Sequence, residues 1–155
     1  MFDKERASIY GHPSNTLPHE IDLHYMILSL YEKYYRPSNE RLFAEKMAGL
    51  YEISLAHMIC LELLGSYYHP DYIPLTKALV DCYADGLNNY GRAIELQKQI
   101  CERIEKVEPE GKASESYGRE LAGLANFYLA INDTIRTDSC LLELRKNPYM
   151  EKLFQ

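Results

Sequence analysis

The sequence predicts an all-α protein made of helical hairpins stacked side by side, and three observations support this prediction. Apolar side chains recur every three or four residues along most of the chain, which is the period of one side of an amphipathic helix. No segment keeps the alternation of apolar and polar residues that marks a strand. Clusters of proline, glycine and asparagine interrupt the helical pattern so that six predicted helices follow one another in three pairs.

The first predicted hairpin occupies residues 20–64 and follows an N-terminal arm at 1–18. Its two helices cover about 20–35 and 39–64. The sequence RPSNE at 36–40 separates them, because proline removes a backbone donor and clashes with the preceding turn.

The second predicted hairpin occupies residues 70–107. Its first helix covers about 74–86, where apolar side chains step by four from Leu75. The sequence GLNN at 86–89 then turns the chain into a helix at 90–107, whose opposite face is rich in charge and is expected to be solvated.

The third predicted hairpin occupies residues 114–147. The sequence INDT at 131–134 separates its two helices, and Asn-Pro at 147–148 is expected to stop the second one. With the two preceding hairpins it completes a single helical-repeat domain at 19–155.

The three hairpins share a tyrosine near the end of each first helix. Tyr31, Tyr83 and Tyr128 coincide when the segments YMILSLYEKYY, KALVDCYADGL and AGLANFYLAIN are aligned, and apolar residues stand three and four positions earlier in all three. We expect these tyrosines to occupy equivalent places in successive hairpins.

The second hairpin resembles a tetratricopeptide repeat of the kinesin-light-chain type. The resemblance rests on HPDYIPLTKALVDCYADGLNNYGRAIELQKQICERIEKV, with HPD before the first helix and Tyr90 and Ala93 opening the second. It implies a right-handed solenoid of three hairpins that binds a peptide or a partner protein along its concave face. The chain departs from this family where paired asparagines would precede the tyrosine, because Lys77 and Ala78 stand there.

The resemblance also implies which residues line the concave face. The residue two positions before each shared tyrosine is expected to point into the groove, and all three such residues are polar: Ser29, Asp81 and Asn126. Neighbours on the same helix faces extend this predicted partner-binding set with Tyr25, Lys77, Asp85 and Arg119.

The stretch GSYYHPDYIPL, from Gly65 to Leu75, is interpreted as a corner between two helices. Pro70 stops one helix and Asp71 suits the cap of the next. An HPD tripeptide can also contact a chaperone, but such a contact needs a basic helix beside the tripeptide, and this sequence has none there. A metal site at His69 and Asp71 lacks the helical spacing of a ligand pair.

Composition narrows the class of protein. The 155 residues carry a formal net charge of −6, which argues against a nucleic-acid partner. No apolar run approaches the roughly 18 residues of a membrane span, and the first residues lack the charged-then-apolar order of a secretory signal. A soluble cytoplasmic protein without a membrane partner is therefore expected. The four cysteines show no CxxC spacing, and we expect reduced, buried packing residues and no metal site.

An adaptor or scaffold without catalytic residues or cofactors is therefore the predicted function, and the end hairpins offer surfaces for an oligomer or a larger assembly. The alternative prediction is a small all-helical, metal-dependent nucleotide hydrolase. It would use four carboxylates as magnesium ligands: Glu52, Glu62, Asp81 and Asp85.

Overall fold

A computed structural model describes residues 26, 29, 30, 33 and 40–154 of the chain. Every regular element in these residues is helical and none is a strand, which confirms the all-α prediction. The chain divides into two compact units, Met1–Tyr72 and Ile73–Gln155. The predicted arm at 1–18 lies outside the described residues, as does most of the predicted helix at 20–35.

Helix α1, Glu40–Gly65, is the long element of the first unit. One of its faces is buried at helical spacing, and this face includes Ala44, Met47, Ala48, Tyr51, Leu55 and Met58. The other face is exposed, and in the second half of the helix it is apolar as well, with Leu63 78% and Leu64 84% accessible. By length and composition α1 would also suffice to cross a membrane, a test that the core helix of a soluble protein passes equally.

Helix α2, Tyr72–Asp81, continues directly into a π-helical turn at Cys82–Gly86. In this turn the Leu87 amide donates to the Cys82 carbonyl at 3.1 Å, five residues back. Asn88 then takes a left-handed conformation with φ 51°, which asparagine tolerates better than most residues. Three residues, 87–89, thus connect the π turn to the next helix.

Helices α3, Tyr90–Val107, and α4, Glu115–Ala130, both begin at a side-chain cap. The Asn89 side chain accepts from the Arg92 amide at 3.2 Å, and the Ser114 hydroxyl accepts from the Tyr117 amide at 3.1 Å. A 3₁₀ turn at Gly111–Ala113 leads into α4.

Helix α5, Thr134–Leu144, begins at Asp133, whose carboxylate accepts from the Arg136 amide at 3.1 Å. A short 3₁₀ turn, Glu151–Phe154, closes the described chain. Helix α3 contacts α4, and α4 contacts α5, so these three helices form one continuous core.

The core of the second unit follows the predicted periodicity. Leu79, Ala93, Leu96 and Ile100 are fully enclosed at 0% exposure, and the buried face of α4 includes Leu121, Leu124 and Tyr128. At two helix ends the apolar residues that continue this period are exposed, Val107 at 38% and Ile131 at 43%. The helix bounds predicted between residues 74 and 147 agree with the observed elements to within a few residues.

Candidate partner-binding surface

The GSYYHPDYIPL stretch forms a corner that is held by hydrogen bonds among its own residues and by one bond to Glu62 near the end of α1. His69 is 9% exposed, and its backbone amide donates to the buried Glu62 carboxylate at 2.9 Å. The His69 ring accepts through Nδ1 from the Asp71 amide at 3.1 Å, and its carbonyl accepts from the Tyr72 amide at 3.2 Å as α2 begins. His69 and Glu62 are thus occupied in shaping the corner, as the corner interpretation predicts.

The end of α1 is shaped by close contacts as well. Ser66 follows the helix in a left-handed conformation with φ 52°. A Cβ at Gly65 would lie 2.6 Å from the Tyr67 ring, so a side chain at this position would displace that ring. Glycine therefore allows the Tyr67 ring to pack against the end of α1.

Three of the predicted partner-binding residues lie together on α2 and the π turn. Lys77, Asp81 and Asp85 follow one another at intervals of four residues, and all three are exposed. The π turn carries Asp85, and such turns occur frequently at functional sites.

Helix α4 contributes Glu120 to the same surface. The Lys77 ammonium contacts the Glu120 carboxylate at 2.6 Å, joining α2 to α4 across 43 residues of sequence. Gln97, only 4% exposed on α3, donates through its amide nitrogen to the Glu120 carboxylate at 2.9 Å and to the Glu120 backbone carbonyl at 2.8 Å. The carboxylate is therefore held from two sides and its position is set by the core.

The surface is electrostatically acidic around Asp81. Partial burial raises the pKa of the Asp81 carboxyl above its ordinary value of 3.8, and the negative charges of Asp85 and Glu120 raise it further, while Lys77 opposes the shift. Because Lys77 is neutralised by Glu120, the charge left over at this end of the surface is that of two carboxylates.

The other predicted partner-binding residues lie elsewhere on α4, in the first unit or outside the described residues. Arg119 is exposed and pairs with Glu115 one turn earlier on α4, and Asn126 is exposed near the end of the same helix. Ser29 is exposed and helical, but it belongs to the first unit. Tyr25 lies outside the described residues.

Sequence reasoning missed Gln97 and Glu120. Gln97 stands on the apolar side of α3, four residues after Ala93 and three before Ile100, and a polar residue at such a position signals a buried hydrogen bond. No comparable local signal marks Glu120, since its partners are 23 and 43 residues away.

A second polar group lies where the 3₁₀ turn meets α5. The Tyr117 hydroxyl donates to the Glu143 carboxylate at 2.8 Å, and the Lys112 ammonium contacts the same oxygen at 3.1 Å. Although partial burial opposes it, these two contacts hold the pKa of Glu143 below its ordinary value of 4.5. Beside this group lies an open groove of about 620 Å³, also lined by Leu142 and Lys146.

The cysteines are all free, but they are not all buried. Cys101 and Cys140 are buried and Cys82 is half-buried, and burial raises the pKa of Cys82 to about 11 and that of Cys101 to about 12. Cys60 is exposed on α1, so the expectation of burial is wrong there. The helical pattern around Cys60 is apolar on both faces and did not distinguish the buried face from the exposed one.

The four carboxylates of the alternative prediction are not drawn together into a metal centre. Among the residues that the structure describes, no group of three or more His, Cys, Asp or Glu side chains is placed to hold a metal ion. Glu62 is moreover engaged by the His69 amide at the corner.

Comparison with known proteins gives no relative for this chain: no protein-family model, no curated protein and no solved structure matches it.

Proposed function

We propose that this protein is a non-catalytic interaction module, an adaptor or scaffold in the cytoplasm, that binds a peptide or partner protein on the surface of α2, the π turn and α4. The observation that carries the proposal is the arrangement of Lys77, Glu120 and Gln97. The core residue Gln97 holds the Lys77–Glu120 pair in place at the surface, and exposed carboxylates lie beside this pair. Groups held in place before binding lose less entropy when a partner arrives.

The proposed architecture is a tetratricopeptide-like stack in which α2–α3 and α4–α5 are successive hairpins. Turns of three residues, 87–89 and 131–133, connect the helices within each pair, as expected for antiparallel neighbours. Contact between α3 and α4 joins the pairs, and the ion pair between Lys77 and Glu120 joins the two first helices. We propose that these two hairpins of the second unit stack with the right-handed twist of a solenoid.

The partner that suits this surface carries basic side chains. Asp81 and Asp85 stand one turn apart and exposed, and Glu120 neutralises the nearby lysine, so an arginine or lysine of the partner finds two uncompensated carboxylates. The net charge of −6 points the same way and argues against a nucleic-acid partner.

Selection of peptides from a displayed random library on the immobilised full chain tests the proposal. We expect enriched peptides to carry lysine or arginine. They should bind at least about tenfold more weakly to the double variant Asp81→Ala, Asp85→Ala, because both carboxylates that a basic side chain would contact are lost. The Tm of the double variant should stay nearly unchanged, since exposed polar groups contribute within about 0.5 kcal/mol.

The matched control is Glu102→Ala, which removes an exposed acidic side chain from the solvated face of α3. It should bind the selected peptides as the wild type does. Peptides that bind the double variant and the wild type equally well would rule out the proposed surface, as would a large loss of stability in the double variant.

A further inference from the structure

The outer face of helix α1 is apolar over the second half of the helix, and the described part of the chain does not cover it. Exposed residues recur along the centre of this face at alternating intervals of four and three. They are called the outer seam below: Gly49, Ile53, Ala56, Cys60 and Leu63. Ile53 is 54% and Leu63 78% accessible, whereas the buried Tyr51 and Met58 lie on the opposite side of the helix.

The spacing of the outer seam identifies the kind of surface that fits it. Intervals of four and three average 3.5 residues, which is the repeat at which one α-helix stays in contact with another along its length. The seam extends for about 21 Å within one unbroken helix, Glu40–Gly65. A second helix that lies along α1 can therefore contact the whole seam at once.

Gly49 is an independent sign of a close neighbour. Within the described residues a Cβ at this position would meet no atom within 4 Å, so packing of the described chain does not require glycine there. Glycine inside a helix is less favourable than alanine. Together with Ala56 and Cys60, Gly49 keeps most of the seam free of large side chains, which lets the backbone of a second helix approach closely.

We infer that the outer seam binds the outer seam of a second copy of this chain, in a parallel pair of α1 helices. Each seam residue then meets its own counterpart, and the residue before one seam position faces the residue after the next position in the other copy. Ile59 thereby faces Leu64, and Glu52 faces His57. Apolar side chains thus meet apolar ones, and a carboxylate meets an imidazole.

The two ends of α1 also favour the parallel order. Arg41, Glu45 and Lys46 are exposed at the start of the helix, whereas Leu63 and Leu64 are exposed at its end. An antiparallel pair would set the charged start of each helix against the apolar end of the other. In a parallel pair the charged starts lie together, with Glu45 of one copy next to Lys46 of the other.

The contact is small, because it is about 21 Å long and three of its five seam residues have small side chains. We therefore expect a weak dimer, with a Kd on the order of 100 µM. At micromolar concentrations the chain is then mostly monomeric and Cys60 reacts with thiol reagents. The inference does not depend on the proposed partner-binding surface, which lies on helices of the second unit.

Sedimentation equilibrium of the full chain in reducing buffer, over about 10–1000 µM, tests the inference. Ile53→Lys and Leu63→Lys should each weaken self-association by about tenfold or more, because each variant places two like charges in an apolar contact. The matched control is Ile135→Lys, which makes the same change at an exposed isoleucine of α5 and should leave association unchanged. Circular dichroism melting verifies that each variant is folded, and Ile53→Ser with Leu63→Ser serves if a lysine unfolds the chain.

Disulfide cross-linking with the thiol oxidant diamide tests the parallel order. Cys60 should form a covalent dimer at about 100 µM protein, and Cys60→Ser alone gives the background of the other three cysteines. Ala56→Cys added to Cys60→Ser should restore the cross-link, because positions 56 and 60 both lie opposite themselves only in a parallel pair. Glu102→Cys in the same background is the matched control, since it places an exposed thiol on α3 and should cross-link at least about tenfold more slowly.

Four results would overturn the inference. A wild-type chain that stays monomeric at about 1 mM is the first, and a dimer that both lysine variants leave intact is the second. The third is cross-linking at position 56 or 60 that is no faster than at 102. The fourth is a monomeric chain that floats with phosphatidylcholine vesicles, because the seam would then bind a membrane surface.

Discussion

Replacing Gln97 with methionine tests whether a core residue holds the proposed partner-binding surface in place. The Gln97 side chain is 4% exposed, and both of its described hydrogen bonds go to Glu120. Methionine is similarly long and unbranched and fills a similar volume, so the packing of α3 against α4 is retained while the hydrogen bonds are lost.

The size of the effect follows from these contacts. A hydrogen bond to a neutral group contributes about 1 kcal/mol and one to a charged group about 1.5–3 kcal/mol. The Glu120 carboxylate keeps its 2.6 Å ion pair with Lys77, so it is not left without a partner and the loss falls in the lower part of this sum. We expect the free energy of unfolding to fall by about 2.5–3 kcal/mol and the Tm to fall by about 5–12 °C.

Urea denaturation followed by circular dichroism measures this loss, and Gln99→Met is the matched control. Gln99 lies exposed on the same helix, and its replacement should change the unfolding free energy by less than about 0.5 kcal/mol. Peptides selected on the wild-type surface should also bind the Gln97 variant more weakly, because Glu120 and Lys77 then lose their fixed positions. Equal stability losses for the two variants would refute the argument that Gln97 organises this surface.

Three further results are expected. In the native protein a thiol reagent should label Cys60 rapidly and the other three cysteines slowly, because only Cys60 is exposed; rapid labelling of a second thiol would contradict the described burial. Asn147 is 3% exposed and makes three hydrogen bonds, whereas Asn126 is solvated. In chemical denaturation Asn147→Ala should therefore lower the unfolding free energy by about 2–4 kcal/mol, and Asn126→Ala by less than about 0.5 kcal/mol. The folded state lowers the pKa of Glu143, so the contribution of this carboxylate to stability is present above pH 4.5 and is lost as the pH falls through the folded pKa. Melting curves of Glu143→Gln should therefore show a shallower loss of stability below pH 4.5 than those of the wild type. Parallel pH profiles of the two proteins would contradict this.

The sequence alone determined the helices of the second unit, because their signals are local. Asn89, Ser114 and Asp133 each cap a helix by accepting from an amide three residues later, and such a bond is encoded within one short segment. Prolines and asparagines between the periodic segments marked the turns in the same local way. The corner at His69 was predicted for this reason too, although its hydrogen bond to Glu62 was not.

Which side chains contact one another, and which helix faces are buried, depends on the tertiary structure. Lys77 meets Glu120 across 43 residues, and Asn147 reaches the carbonyls of Lys112 and Ser114 across 35 and 33. A helical period gives the direction of a side chain around its own axis and no information about the neighbouring helix. The family resemblance implied Lys77 and Asp81, but no local pattern joined Gln97 to Glu120. The same gap explains Cys60, since both faces of α1 are apolar and only packing against the rest of the chain determines which of them is buried.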